Sequence, residues 1–302
     1  MAALLAGCAY APPPMHARPR LPGTALPGAQ DPLPDVTLDE WHDLGNGNGQ
    51  GVLAAGTERV RFELRSATGE GPHPFVLLVP ILAGGADLMA AVANGLCARG
   101  FDVAFCARAG GALTEGQRGA ELDELFRRTV LHQRLVLQWQ RNHERQPVPH
   151  FVLGLSLGGM VSTVVGALEP ELDGLAICLS GADLPDLVAT SSEQRVERWR
   201  EWRRRTDGVG DDHLRWELAQ ALRHEPLRFA GAIATDRVLM VSAAFDTVVP
   251  LHNQDALWEA LGRPARLVLP LGHYTAGLWF QGILDAVADH FHGRIAATAS
   301  AR

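Results

Sequence analysis

The sequence contains few cysteines and has no excess of positive charge. Its 302 residues include four cysteines, 27 lysines and arginines, and 34 aspartates and glutamates, so the formal net charge is −7. Nucleic-acid-binding domains usually carry a basic surface, and this charge balance therefore argues against nucleic acid as a partner. No run approaches the roughly 20 consecutive apolar residues of a membrane-spanning helix. The length and the apolar content of 47% predict a soluble globular protein with a large core.

The four cysteines, Cys8, Cys97, Cys106 and Cys178, form no C-x-x-C pair. None has metal-ligand spacing to a histidine, so we expect no zinc site, and nothing in the sequence calls for another metal or a cofactor. Cys97, Cys106 and Cys178 lie in apolar patterns that are typical of buried free thiols. A disulfide between Cys97 and Cys106 is the alternative, although it makes strict geometric demands.

The N-terminal residues 1–34 differ in composition from the rest of the chain. Residues 9–34 are rich in proline, alanine and glycine, which predicts a disordered tether rather than a core. Leu5-Ala-Gly-Cys8 resembles the lipobox of bacterial lipoprotein signal peptides, but no basic segment or full-length apolar segment precedes it. That resemblance implies an acylated Cys8 and membrane anchoring outside the cytoplasm. An accidental match, with a cytoplasmic protein, is the alternative.

Residues 35–302 read as one domain in which strands alternate with helices. This alternation predicts crossover connections, a mainly parallel sheet and an α/β fold. A long amphipathic helix is expected from Gly119 to about His143, and a helix near the C-terminus over about Ala276–Phe291. The helical, tryptophan- and arginine-rich segment 183–236 interrupts the alternation. We expect it either to cover a pocket as a lid or to pack against the body of the domain. Strands are predicted at Thr57–Arg65, Phe75–Val79, Gly100–Cys106, His150–Leu155, Gly174–Leu179, Arg237–Ser242 and Arg266–Leu269.

The glycine-rich run Gly45–Gly51 is interpreted as a flexible loop. It lacks the Lys-Ser/Thr that follows a phosphate-binding loop, and no strand-helix context surrounds it. We therefore expect no phosphate site there.

The segment Gly154-Leu-Ser156-Leu-Gly158 joins a predicted buried strand to a predicted helix. Such a tight passage strains the central residue, and nearly side-chain-free neighbours are needed around it. The pattern therefore predicts a serine hydroxyl held at the C-terminal edge of the sheet, where a substrate can reach it.

A serine needs a base within hydrogen-bond reach, and that base needs an orienting acid. Asp246 and His273 each follow a later strand, so both fall at the same sheet edge as Ser156, in the order found in α/β-hydrolases. Asp183, after the preceding strand, is an alternative acid. Other residues nearby fit surface or helix positions better: His252, Asp255, His290 and His292.

With these motifs, the chain resembles the α/β-hydrolase-fold serine esterases over roughly residues 55–292. The resemblance is carried by Gly154–Gly159, Phe245–Pro250 and Leu271–His273. It implies an eight-stranded, mostly parallel sheet and a catalytic triad without a cofactor. In that triad Ser156 is the nucleophile, His273 the general base and acid, and Asp246 the orienting carboxylate.

An oxyanion hole needs two backbone N–H groups. The amide of Leu157 is the first expected donor, and the loop after Val79 should supply the second. Pro80 cannot donate, which leaves Leu82, the favoured residue, or Ile81. This loop differs from the His-Gly-Gly-Gly of lipases, and its bulky residues favour esters with apolar acyl groups.

These features predict a serine hydrolase that cleaves small-molecule or lipid-like carboxylic esters through an acyl-enzyme. An acyltransferase, thioesterase or peptidase on the same fold is one alternative, and a catalytically silent binding lipoprotein is another. The arginines between Arg195 and Arg205 alternate with glutamates and are interpreted as a solvated helix with i,i+4 ion pairs, with binding of an acidic substrate as the alternative.

Overall fold

A computed structural model describes residues 26–28, 32–82 and 85–300. The predicted leader, with Cys8 and most of the tether, lies outside the described residues. One sheet of nine strands, in the order β1-β2-β3-β5-β4-β6-β7-β8-β9, runs through the domain. Its strands are β1 (Thr37–Gly45), β2 (Asn48–Ala55), β3 (Glu58–Arg65), β4 (Phe75–Val79), β5 (Asp102–Cys106), β6 (His150–Leu155), β7 (Gly174–Cys178), β8 (Val238–Ala243) and β9 (Ala265–Leu269).

The sheet is mostly parallel, as predicted. Strands β5-β4-β6-β7-β8-β9 pair in parallel, with Leu77 of β4 between Ala104 of β5 and Val152 of β6. Strands β1, β2 and β3 pair antiparallel at one side. Every residue of β4 and β7 is buried, because helices cover both faces of the parallel part. The predicted α/β fold class is confirmed.

Two apolar layers hold the helices to the sheet. Leu77 and Val79 face a cluster that includes residues of α2, α3 and α8. Val76 and Leu78 alternate with them along β4 and therefore point to the other face of the sheet, where they pack in a second cluster with α1 and α9. The helices are α1 (Ala86–Cys97), α2 (Gly119–His143), α3 (Leu157–Leu168), α4 (Leu184–Thr190), α5 (Gln194–Asp207), α6 (Asp211–Ala221), α7 (Leu227–Ala230), α8 (Leu251–Ala260) and α9 (Phe280–Ser300).

The predicted bounds of α2 are confirmed, whereas the C-terminal helix differs from its prediction. A 3-10 turn occupies Thr275–Trp279, and α9 then continues to Ser300. In the described part of the chain, no helix is both long and apolar enough to cross a membrane.

Cys97, Cys106 and Cys178 are free thiols, so the alternative of a Cys97–Cys106 disulfide is wrong. Burial raises the pKa of each of these thiols to about 12.

The interpretation of Gly45–Gly51 as a flexible loop is wrong. This run forms a hairpin between β1 and β2, with Asn46 and Gly47 as a two-residue turn at φ 54° and 77°. Asn-Gly is the favoured pair for such a turn because both residues tolerate positive φ. The glycines of β2 leave room for rings: a Cβ on Gly49 would lie 2.0 Å from the Trp41 ring. This hairpin brings the sheet to nine strands, where the family resemblance implies eight.

Segment 183–236 carries four helices, α4 to α7, between β7 and β8. Its apolar residues, among them Trp199, Leu214 and Leu218, pack in a third cluster with Met160 of α3. Arg203 of α5 is only 2% exposed and pairs with Asp207 (2.5 Å) and Glu217 (2.6 Å). The interpretation of α5 as a wholly solvated helix is therefore wrong at Arg203, where the buried guanidinium joins α5 to α6.

A partly buried ion pair fixes the antiparallel part of the sheet to α2. Glu58 of β3 lies 2.8 Å from Arg128 Nη2 and 2.8 Å from His132 Nε2. The Arg128 guanidinium, helped by His132, lowers the pKa of Glu58 to about 2 despite the opposing effect of burial. Glu58 therefore stabilises the folded state in its charged form.

Replacing Glu58 with glutamine should lower the free energy of unfolding at pH 7 by about 1–3 kcal/mol, since hydrogen bonds to charged groups are lost. A lowered folded-state pKa gives stability that is present above the unfolded pKa of 4.5 and is lost as the pH falls toward 2. Urea unfolding of both proteins should therefore show a difference that shrinks between pH 4.5 and pH 2. Glu124→Gln, which removes an exposed partner of Arg127 on α2, should change stability by less than about 0.5 kcal/mol. Equal effects of both substitutions would contradict this assignment.

Candidate active site

Ser156 occupies the turn between β6 and α3 in a backbone conformation that is rare for a residue with a side chain. Its φ is 52° and its ψ is −123°. Its N–H donates to the carbonyl oxygen of Cys178 on the neighbouring strand, at 2.9 Å. A strained residue of this kind persists only where the surrounding structure fixes it. The strand, the turn and the helix together hold the serine at the C-terminal edge of the sheet.

The glycines on either side of Ser156 are required by contact distances. A Cβ on Gly158 would lie 2.2 Å from the carbonyl oxygen of Val79, at the end of β4. A Cβ on Gly154 would lie 2.3 Å from the carbonyl oxygen of Gly158. Both separations are far below van der Waals contact, so any side chain would force the turn apart. The reason given from the sequence for these two glycines holds in the structure.

Asp246 and His273, each just after a late strand, meet at the same edge. Asp246 Oδ2 lies 2.7 Å from His273 Nδ1, and its side chain is fully buried. Its other oxygen, Oδ1, accepts the N–H groups of Val248 and Val249, both at 2.8 Å. A carboxylate can only accept, so His273 Nδ1 carries the hydrogen. The opposite ring nitrogen, Nε2, is then left with its lone pair.

Ser156 and His273 both line one cavity. Within the described residues, no hydrogen bond joins Ser156 Oγ to His273. Such bonds are often long in ligand-free enzymes and tighten when substrate binds. The structure thus brings the predicted acid and base into contact and places the serine on the same cavity.

The competing histidines and acids are engaged elsewhere. Asp183 caps the start of α4, where its carboxylate accepts the N–H of Asp186. The other candidates contact groups other than Ser156. His252 pairs with Asp186 (2.8 Å), and Asp255 pairs with Arg266 (2.6 Å). His290 bonds the carbonyl of Arg237 (3.1 Å), and His292 stacks on the ring of Phe101 (4.8 Å between centroids).

The predicted oxyanion donors lie at this cavity. Leu157 is the first residue of α3, where N–H groups have no acceptor within the helix. Both Ile81 and Leu82 line the cavity. The carbonyl oxygen of Ile81 accepts a hydrogen bond from Arg108 Nη1. Because the C=O and the following N–H of a trans peptide point in opposite directions, this bond turns the Leu82 N–H away from Arg108.

The cavity has a volume of about 390 Å³, within the range of small-molecule sites. Its lining is mainly apolar, with side chains from α2, α3, α4, α6 and α9, such as Phe126, Met160, Leu187, Leu218 and Ile283. In the described ranges, no group of three or more histidine, cysteine or acidic residues could hold a metal ion.

Sequence reasoning missed several polar residues of the cavity, among them Arg108, Glu193 and Tyr274. Arg108 comes two residues after β5, at the same sheet edge as the serine, and that position was the available signal. Burial lowers the pKa of Arg108, and repulsion by Arg195 adds to the effect. Glu193 accepts the N–H groups of Arg195 and Val196 at the start of α5. Nothing in the sequence placed α5 beside the serine.

The segment between α4 and α5 is hydrogen-bonded to the loop that follows Asp246. Ser191 Oγ donates to the carbonyl oxygen of Val248 at 2.6 Å. Ser192 N–H donates to the carbonyl oxygen of Thr247 at 2.9 Å, and its hydroxyl donates to Thr247 Oγ1 at 2.8 Å. The helical segment over the cavity is thus joined directly to the loop of the acid.

Solved structures share this architecture. Acetyl xylan esterase 1 from Thermoanaerobacterium sp. superposes with a TM-score of 0.62 at 19% identity, over 85% of this chain and 90% of that one. An α/β hydrolase from Penicillium sp. gives 0.59 at 16% identity, over 87% and 99%. The 2,6-dihydroxy-pseudo-oxynicotine hydrolase gives 0.59 at 22% identity, over 82% and 68%. The chain has the α/β-hydrolase fold.

Sequence comparison is less informative. No protein-family model matches the chain. An uncharacterized protein of Mycobacterium tuberculosis is 29% identical over 170 residues, which are 51% of this chain and 38% of that protein. A Bacillus subtilis protein, also uncharacterized, is 39% identical over 49 residues, 16% of this chain and 42% of that protein. The matches span less than half the length of these curated relatives.

Replacing Gly158 with alanine should lower the free energy of unfolding by about 1–3 kcal/mol, because the new methyl group would collide with the backbone of Val79. Thermal and urea unfolding would measure the loss. Gly293→Ala is the matched control, since no atom lies within 4 Å of the added Cβ on α9, and it should leave stability equal or slightly higher. A Gly158→Ala protein as stable as the parent would show that the turn tolerates a side chain.

Proposed function

We propose that the protein is a serine hydrolase that cleaves carboxylic esters through an acyl-enzyme. The observation that carries this proposal is the 2.7 Å contact between Asp246 and His273 on a cavity that also exposes Ser156 at a strained turn. Three residues of this chemistry at one sheet edge, beside a helix N-terminus, suit acyl transfer better than metal-assisted or redox reactions. The α/β-hydrolase fold is compatible with this assignment but leaves the reaction open.

In the proposed reaction, Ser156 Oγ attacks the ester carbonyl carbon while His273 Nε2 takes the hydroxyl proton. The negative charge on the carbonyl oxygen is stabilised by the N–H groups of Leu157 and Leu82. His273 then gives its proton to the leaving alkoxide, and the acyl group stays on Ser156. Water attacks this acyl-enzyme with His273 again as base, and the carboxylic acid and free serine are released.

Asp246 contributes through His273. Its buried carboxylate holds the Nδ1–H tautomer and stabilises the positive imidazolium that forms as Oγ loses its proton. Two backbone N–H bonds on Oδ1 keep the carboxylate from turning away. The charge needed beside the histidine is therefore held in place before substrate binds, so little reorganisation is required during reaction.

The apolar lining supports an ester with a hydrocarbon acyl chain. Burying such a chain releases water from apolar surface, at roughly 0.8 kcal/mol for each methylene group. Residues of the helical segment that connects β7 to β8, such as Leu187 and Leu218, form part of this lining. We propose that this segment, α4 to α7, acts as the lid.

Replacing Ser156 with alanine should reduce the hydrolysis of p-nitrophenyl esters by at least about 10³-fold, since the nucleophile is removed while the oxyanion donors remain. The same protein should fail to react with a fluorophosphonate probe. Ser66→Ala, a change at the end of β3, should leave both readouts unaffected. Full ester hydrolysis by the Ser156→Ala protein would overturn the proposal.

Replacing Asp246 with asparagine should lower kcat for ester hydrolysis by about 10⁴-fold, because an amide NH₂ facing Nδ1 would favour the wrong histidine tautomer. Stopped-flow measurement of p-nitrophenol release would give the rate. Asp255→Asn removes an acid of α8 that pairs with Arg266 of β9, and we expect it to change kcat less than about twofold. Similar losses in the two variants would contradict the role given to Asp246.

A further inference from the structure

Arg108 brings an uncompensated positive charge to the cavity wall. It lines the cavity and is half-buried, and its one hydrogen bond within the described residues joins Nη1 to the carbonyl oxygen of Ile81. Its Nε is buried without a hydrogen-bond partner. In the ranges 26–28, 32–82 and 85–300, no carboxylate pairs with this guanidinium. A neutral donor would satisfy the Ile81 carbonyl equally well, so this contact does not explain the charge.

A second guanidinium increases the positive charge at this place. Arg195, at the start of α5, is close enough to repel Arg108, and the two have no shared acid among the described residues. The only carboxylate among the described lining residues belongs to Glu193, whose Oε2 accepts the N–H groups of Arg195 and Val196, and no ion pair joins it to Arg108. Four other arginines of α5 already have partners within the protein. Arg203, Arg204 and Arg205 form ion pairs with acids, and Arg200 donates hydrogen bonds to backbone carbonyls.

Two like charges, neither of them in an ion pair with an acid among the described residues, are unfavourable in a partly desolvated place. A bound anion would offset that cost. The planar guanidinium matches both carboxylate and phosphate oxygens in a two-point contact. The rest of the cavity wall is apolar and suits a hydrocarbon chain.

We propose that the cavity takes esters that carry, besides an apolar chain, a second group that is a carboxylate or a phosphate and that Arg108 binds. That the cleaved bond is an ester rests on the proposed function. Binding of the anion can be measured without any cleavage. Strands β5, β4 and β6 are neighbours, so the ends of the strands before Arg108 and Ser156 are two strand spacings apart, or about 10 Å. Arg108 Nη1 bonds the carbonyl side of the Ile81–Leu82 peptide, and the proposed donor, the Leu82 N–H, is on the opposite side. We therefore place the anion across this peptide from the reacting carbonyl, and Arg108 is a specificity residue.

The test measures binding to the Ser156→Ala protein by calorimetry. The ligands are the monomethyl esters of succinate, adipate, suberate and sebacate, with the dimethyl esters as neutral controls. The best half-ester should bind at least tenfold more tightly than its diester, and added salt should weaken this preference. A second arm compares 1-octanoylglycerol 3-phosphate with 1-octanoylglycerol. Preference in the first arm identifies a carboxylate on the acyl side, and preference in the second identifies a phosphate on the alcohol side.

Adding Arg108→Gln to the Ser156→Ala protein should abolish the preference for the anionic ligand while leaving the affinity for the neutral ligand within twofold. Arg108→Lys, which keeps the charge, should retain part of the preference. Arg198→Gln removes the same charge from an exposed position on α5 and should change neither affinity. Thermal unfolding would check that each variant is folded.

Two results would overturn this proposal: equal affinity for anionic and neutral ligands in both arms, or equal losses for both ligands in the Arg108→Gln protein. The second result would make Arg108 a support for the Ile81 loop alone. These results differ from failure of the proposed function. A parent protein that binds half-esters through Arg108 but neither reacts with fluorophosphonate nor hydrolyses any ester would contradict serine hydrolysis and keep the anion site.

Discussion

The backbone of α3 lies directly against the carbonyl oxygens at the end of β4. At Gly158 this approach leaves no room for a Cβ, which would lie 2.2 Å from the Val79 oxygen. The contact brings three parts of the site together: the turn with Ser156, the first amide of α3 and the loop with Ile81 and Leu82. Widening this gap would separate the serine from both proposed oxyanion donors, so the geometry of the site depends on it.

Asp246, which contacts His273, and Arg108, which lines the cavity, are hydrogen-bonded to very different degrees. Asp246 is buried with three hydrogen bonds, from two backbone amides and His273, and its position is fully determined by the protein. Among the described residues, Arg108 has one hydrogen bond, to the Ile81 carbonyl, and no ion pair with an acid. A group that the protein itself satisfies suits a fixed part of the machinery, while a group left unsatisfied suits contact with something that arrives later.

Local patterns were sufficient for the parallel sheet and for the positions of Ser156, Asp246 and His273, because buried strands read as apolar runs and their C-terminal ends share one edge. Two kinds of feature were not predictable in this way. The Asn46-Gly47 hairpin was hidden in a glycine-rich run that also fits a loop. The surroundings of Arg108 and Arg203 depend on how α5 and α6 pack over the sheet, and a single sequence carries no period or motif for such contacts.

The hydrogen bonds from Ser191 and Ser192 to Thr247 and Val248 have a mechanical consequence. A displacement of α4 that preserves these bonds must carry Thr247 and Val248 with it, and the N–H groups of Val248 and the adjacent Val249 hold Asp246. The helical segment α4 to α7 is therefore not free to move independently of the Asp246 loop at Ser191 and Ser192. Movement that leaves the carboxylate undisturbed is therefore confined to parts of the helical segment beyond Ser192.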